Sequence, residues 1–496
     1  MPTVHAQCFE QELWPPGIAG AEEFGFDLDV GGGVLVIGDR RADNHGQNSG
    51  AAYVYAWDAA AGAWSFSQEL MPSVVEAGEG FGREVSTDGE RIAVISKYPS
   101  AFSPLGRVRI FAFDGTAWYE ELLIEGPASA HLGDGKLVLG YLHQLTVLDI
   151  ADGAFVPEYQ FGFQPFWSGL NFDHVVVEHD DDWIVVSEPW YGCPFFGGSC
   201  GRLFLFHRQG ESWSLSQVLE GTPSSQLSSW SQRLESERLA IGLAPFGTAI
   251  YRVEQGTWVL EQSLTTLPGL GGFGSAVDLE FPWLAVGAPS STLAGPSSGA
   301  IVLYEWDGDE WVRRQVLAVG LAGVGDLFGY RVRLEDGVVL GTSIGAEFHG
   351  AQIGSVRARR FDDGQPLLGC PASISLSEGG TQKLSLHAPA AYAGQLYWVL
   401  GSVSGTAPGI PVDGLLLPLA FDAYTVVMLT APNQGPFEKT LSVLGSDGYA
   451  GPNIVVAAAS DPGLVGLVLH HAFVVLDPVA GQVAFASNPS SLALAP

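Results

Sequence analysis

The feature that most constrains this chain is a repeated opening: Phe-Gly, then two short apolar runs joined by a tight turn. Phe24 opens FGFDLDVGGGVLVIGD, Phe81 opens FGREVSTDGERIAVIS, Phe273 opens FGSAVDLEFPWLAVGAP, and Phe328 opens FGYRVRLEDGVVLGTS. Looser copies begin at His131, Phe172 and Trp230, which makes seven. The residues closing the second run are Gly38, Ser96, Gly140, Ser187, Gly242, Gly287 and Gly341, so copies recur every 44 to 58 residues. Self-similarity at this period marks an array of supersecondary units, each too small to bury its own apolar faces.

Each copy reads as two strands, a variable loop and a third strand opened by glycine, as at Gly50, Gly106, Gly201, Gly247, Gly299 and Gly354. A fourth strand carries Trp-x-x-x-Gln-x-Leu, at Trp64/Gln68/Leu70, Trp213/Gln217/Leu219, Trp258/Gln262/Leu264 and Trp311/Gln315/Leu317. Even offsets place all three residues on one face of a strand. Four strands per unit at this period describe a propeller blade. The last copy lacks its fourth strand, and half of that motif stands at the N-terminus as Gln11 and Leu13. The expectation is therefore a seven-bladed β-propeller over residues 8–369, closed by the N-terminal strand. Closure removes an exposed edge.

The Phe-Gly openings and the Val-Gly-Ala-Pro at 286–289 resemble the FG-GAP repeats of integrin α-subunit propellers. The Ser49–Tyr55 third strand is similar to the versions found in bacterial secreted proteins. The resemblance covers about residues 8–366. It implies an extracellular protein that meets a partner through propeller loops on one face.

After Cys370 the pattern changes to alternating stretches separated by Gly, Pro, Asn and Asp, such as Lys383-Leu-Ser-Leu and Gln482-Val-Ala-Phe-Ala. Residues 370–496 read as a C-terminal β-sandwich of about eight strands. Residues 1–7 read as a remnant of processing, because Val4-His5-Ala6 resembles the end of a signal-peptide cleavage site. Cys8 with Cys370, and Cys193 with Cys200, form two plausible disulfides, which places the chain outside the cytoplasm, secreted or at the cell surface.

The formal charge of −32 repels phosphate backbones and anionic lipid, so nucleic-acid and membrane-surface roles are disfavoured. No apolar run is long enough to span a bilayer, and the chain is expected to be monomeric. Integrin-type repeats often carry a calcium loop between their first two strands. Here those turns are Gly31-Gly32-Gly33, Asp88-Gly89, Asp134-Gly135 and Asp336-Gly337, too short to wrap an ion. Asp180-Asp181-Asp182 is the one acidic cluster among them. Neither a metal nor a cofactor is expected. His470 and His471 are adjacent in a strand and point to opposite faces, which argues against a shared ion.

The loop 188–200 is dense in aromatics, and Trp190, Tyr191, Phe195 and Phe196 suit contact with a protein or a sugar face. Arg40, Arg41, Asn44 and His45 on a neighbouring loop add hydrogen-bonding groups. The chain reads as a non-catalytic binding or adhesion protein with a protein or glycan partner. The alternatives are a propeller hydrolase or lyase acting on polysaccharide, and a structural cell-surface component. Asp, Glu, Arg and Tyr converging at the channel mouth would favour the enzyme; aromatic loops without such a cluster would favour binding.

Overall fold

The computed structural model describes the chain except residues 1–9, 18–22, 60–62, 98–105, 142–143, 152–153, 163–175, 189–200, 211, 222–230, 236, 244–246, 319–323, 349–350, 361–365, 371, 446–447 and 478–479. Its contacts divide it into two compact units. One is Gln11–Val312 with Val316–Ala358, and the other is chiefly Arg359–Pro496.

The first unit is an all-β propeller array. Among the described residues there are seven four-stranded antiparallel sheets. The first runs Asp27–Gly31, Val34–Asp39, Ala51–Asp58, Ala63–Leu70. The sheet containing Val332–Glu335, Val338–Ser343 and Ser355–Arg360 has Glu10–Leu13 as its outer strand. Each Phe-Gly opening docks on the sheet before it. Phe81 N donates to Ser49 O, Phe328 N to Ser298 O, and Phe24 N to Ile353 O at 3.0 Å. The rings of Phe24, Phe81, Phe273 and Phe328 are buried between sheets.

The Trp-x-x-x-Gln-x-Leu strand does not keep its three residues on one face. Tyr55 pairs with Phe66 but Val54 pairs with Gln68, which leaves Ser67 as the extra residue of a β-bulge. The same slip separates Leu215 from Gln217 and Leu260 from Gln262. One inserted residue inverts the alternation beyond it. Trp118 consequently packs against Leu70 of the preceding sheet, Trp258 against Leu219, and Trp311 against Leu264. The outer strands Ser212–Glu220 and Thr257–Thr265 thus face backward with their Trp and forward with their Gln and Leu.

The glutamine completes the link. Gln68 Nε2 donates to Trp118 O while its Oε1 accepts from Trp118 N, both at 2.8 Å. Gln217 clasps Trp258 and Gln262 clasps Trp311 in the same way. A primary amide carries a donor and an acceptor side by side, so it substitutes for a strand neighbour that geometry denies to an outer edge. Gln11 clasps Trp64 at 2.7 and 2.8 Å, so the N-terminal strand acts on the first sheet as an outer strand does. Gln217→Ala should cost about 1–2 kcal/mol, the scale of two half-exposed hydrogen bonds, read as a shift in urea midpoint with unchanged slope.

The second unit holds two sheets. One contains Leu367–Cys370, Gly380–His387, Asn453–Val456 and Phe437–Glu438, with Tyr449–Ala450 beside it. The other contains Ser373–Ser375, Ser490–Ala495, Val468–Asp477, Leu396–Ser402 and Leu441–Val443, with Gln482–Ala486 beside it. Leu384 and Leu386 from the first share a core with Tyr397, Val399 and Phe473 from the second. A helix, Ala423–Thr430, was not expected. Its apolar, β-branched sequence reads as a strand, but Asp422 accepts from Thr425 N while Thr425 Oγ1 accepts from Asp422 N, closing a capping box. His471 is fully buried and bonded to the Tyr424 hydroxyl, whereas His470 bonds Ser491, as opposite-facing neighbours should. Among the described residues no helix is long and apolar enough to cross a membrane.

Candidate ligand site at the propeller channel

The first strand of each sheet is an edge, and its N–H groups need acceptors. The preceding sheet supplies them from side chains. Asp27 accepts from Val85 N at 3.0 Å and Asp29 from Thr87 N at 2.8 Å. Ser86 accepts from Leu132 N, Ser231 from Val277 N, and Asp278 from Leu334 N at 2.6 Å. Glu335 accepts from Gly33 N across the last and first sheets. Many acids of the inner strands are therefore mortar between sheets.

Their remaining oxygens meet arginines. Arg331 Nε lies 3.1 Å from Asp27, Arg333 Nε 2.8 Å from Asp29, and Arg233 Nε 3.2 Å from Asp278. Burial pushes Asp29 up, but the guanidiniums of Arg333 and Arg233 overcome it and leave the carboxyl below its ordinary value. At Asp27 and Asp278 burial wins over the arginines and the carboxyls are raised.

Glu178 differs. Burial pushes it up to about 7 despite Arg233 and Arg333, and its Oε2 lies 3.2 Å from His131 Nε2 and 3.7 Å from Arg233. His131 Nδ1 lies 2.8 Å from His179 Nδ1, and His179 Nε2 lies 2.9 Å from Gly133 O. Burial holds both imidazoles down to about 3, so both are neutral. A carbonyl accepts only, so His179 carries its proton on Nε2 and accepts at Nδ1. His131 must then donate from Nδ1, which leaves its Nε2 an acceptor. Glu178 Oε2 faces that nitrogen at 3.2 Å but makes no hydrogen bond among the described residues, so the bonded chain ends at His131.

Two cavities flank this cluster, and Asp29 and His131 line both. The one of about 580 Å³ opens at the tight-turn end and is walled by Asp88, Asp134, Asp180, Asp181 and Asp182. Asp180 is engaged there in turning its own loop, accepting from Asp182 N and Trp183 N. The other, of about 310 Å³, opens at the end where inner strands begin and second strands finish, the long-loop end. Phe26, Arg40, Arg83, Tyr330 and Arg331 surround it. Arg40 stacks on Phe26 at 3.8 Å, and Arg331 lies 4.8 Å from the Tyr330 ring.

Of the residues singled out by sequence, Arg40 reaches this mouth while paired to Glu23, which also holds Arg41. Asn44 donates to Tyr53 and Glu69, and His45 lies 3.1 Å from Glu69, so both brace their own loop and neither lines the cavity. Trp190, Tyr191, Phe195, Phe196, Cys8, Cys193 and Cys200 lie outside the described residues. So does the side chain of Cys370, whose backbone ends the strand Leu367–Cys370. Asp, Glu, Arg and Tyr do converge at the mouth, as Asp27, Glu84, Glu178, Arg83, Arg331 and Tyr330. Sequence reasoning missed them, although position and alternation mark them: Phe26, Arg83 and Tyr330 each stand two residues after the Phe of their Phe-Gly pair.

Residues 9–55 match the FG-GAP repeat family. Among solved structures, the β-propeller domain of the Trilobed protease from Pyrococcus furiosus is similar at 13% identity, with 70% of this chain and 100% of that one covered and a TM-score of 0.41. A protein assigned as a 6-phosphogluconolactonase from Bacteroides fragilis is similar at 14% identity, over 58% of this chain and 82% of that one, with a TM-score of 0.39. Likeness at this level carries no inference about activity. No curated protein matches the sequence.

Proposed function

We propose that this FG-GAP β-propeller protein is a non-catalytic extracellular binding module, a closed ring of seven blades that receives a protein or glycan at its long-loop face. The observation that carries the reading is the division of labour in the channel. Asp27, Asp29 and Asp278 are committed to backbone N–H groups and arginines, while the mouth itself is lined by Phe26, Tyr330 and Arg83. Trp190, Tyr191, Phe195 and Phe196 extend that surface, and the pairs Cys8–Cys370 and Cys193–Cys200 brace the ring and the loop.

A glycan and matrix-protein array on the purified chain tests this. Trp190→Ala with Tyr191→Ala should weaken the array ligand by about 1–3 kcal/mol with little change in melting temperature. Normal binding with early melting would make these rings loop core and move the binding face elsewhere.

A second reading, a polysaccharide hydrolase or lyase, is favoured by the convergence of Asp27, Glu84, Glu178, Arg83, Arg331 and Tyr330 at the mouth, among which Glu178 is a buried carboxyl raised to about 7. Incubation with a polysaccharide panel decides it, since new reducing ends or unsaturated products abolished by Glu178→Gln would establish the enzyme.

A further inference from the structure

We infer that the cavity at the long-loop mouth takes a sugar acid, a small ligand combining one carboxylate with several hydroxyl groups. The inference rests on the reading that this face binds a ligand, and it names the ligand's chemistry.

The first observation is Arg83. In a chain of net charge −32 its guanidinium lines the cavity without a carboxylate in ion-pairing distance among the described residues, whereas Arg40 and Arg331 are matched by Glu23 and Asp27. A free planar fork of donors suits a carboxylate.

The second is Gln232, which lines the same cavity and is 3% exposed. Its Nε2 donates to Val176 O at 3.2 Å and Val185 O at 3.4 Å. Its Oε1 is buried with no donor among the described residues. A buried acceptor left unmet is costly, and a ligand hydroxyl supplies the missing proton.

Glu178 adds to the fit. Burial raises it to about 7, so below that pH it is mainly neutral and adds little charge against an incoming anion. The rings of Phe26 and Tyr330, 5.9 Å apart, add apolar surface at the mouth beside the guanidiniums they carry. A volume of about 310 Å³ is on the scale of one sugar ring with its waters.

Calorimetry on the full chain tests the assignment with D-glucuronate, D-glucose, acetate and a short peptide bearing a free C-terminal carboxylate. Glucuronate should bind, with glucose and acetate each weaker by about tenfold or more, because each lacks one half of the recognised chemistry. Arg83→Ala should weaken glucuronate by about 10- to 100-fold, the range of one charge-assisted pair, with unchanged melting temperature. Arg83→Lys should fall between. Acetate or glucose binding as well as glucuronate, the peptide binding better, no glucuronate binding, or an indifferent Arg83→Ala would each overturn the proposal. If glucuronate fails while an array ligand still protects the long-loop face, only the sugar-acid assignment falls. If the array ligand binds elsewhere, the binding reading falls with it.

Discussion

Replacing Gly274 by alanine should destabilise the propeller by about 3 kcal/mol or more, while Gly308→Ala should cost only about 1 kcal/mol. Both glycines have positive φ, +90° at Gly274 and +107° at Gly308, so both substitutions carry the left-handed penalty. They differ in surroundings. A Cβ on Gly308 meets nothing, but one on Gly274 would sit on the carbonyl oxygen of Gly247 in the preceding sheet. Gly274 N also donates to Gly287 O, so the backbone cannot swing away without breaking a bond. Here the glycine of the Phe-Gly pair is the point where neighbouring sheets touch backbone to backbone. Denaturant titration of the two variants checks the contrast, and equal losses would show that inter-sheet approach is not what the motif protects.

Lowering the pH should strip stability from the channel on the order of several kcal/mol, because His131 and His179 are buried neutral. With folded-state values of about 3, against 6.5 when unfolded, neither binds a proton in the folded chain over that interval, whereas the unfolded chain binds one on each. Their contribution is complete above pH 6.5 and is lost as the pH falls toward 3. Glu178 and Glu335 run the other way. Raised to about 7 from 4.5, each stays protonated where the unfolded chain has ionised, and so costs stability as pH rises through that interval. The two effects oppose each other between pH 4.5 and 6.5, and the steep loss begins below 4.5. Carbon-13-labelled histidine resolves the pair directly. Two resonances removed by His131→Asn and His179→Asn should still report neutral imidazole at pH 5. Titration of either near 6.5 would contradict the tautomer chain.

The array itself was legible because its signals are local: a Phe-Gly pair, a tight turn, a glycine opening the third strand. The outer-strand motif was legible as a motif but not in its facing. Trp64, Gln68 and Leu70 have even offsets, and only the register shows Ser67 as the extra residue that turns Gln68 and Leu70 toward the next sheet. The helix Ala423–Thr430 was hidden by a composition suited to strands and is explained by its cap.

The channel cluster was the least legible part. Asp29, His131, Glu178, Arg233, Asp278 and Arg333 come from six different copies and meet only when the inner strands are brought together. His131, Glu178, His179 and Arg233 arise in the copies that had lost the Phe-Gly opening.

On the binding function we propose, the long-loop mouth receives a ligand and leaves it unchanged. Hydrogen–deuterium exchange on the complex with an array-identified ligand, with the ligand weighed by mass spectrometry afterwards, tests both halves at once. Protection should concentrate on residues 24–27, 40–46, 83–86 and 330–333, with the ligand recovered intact. Protection around Asp88, Asp134 and Asp180 at the opposite mouth, or a ligand returned cleaved, would contradict it.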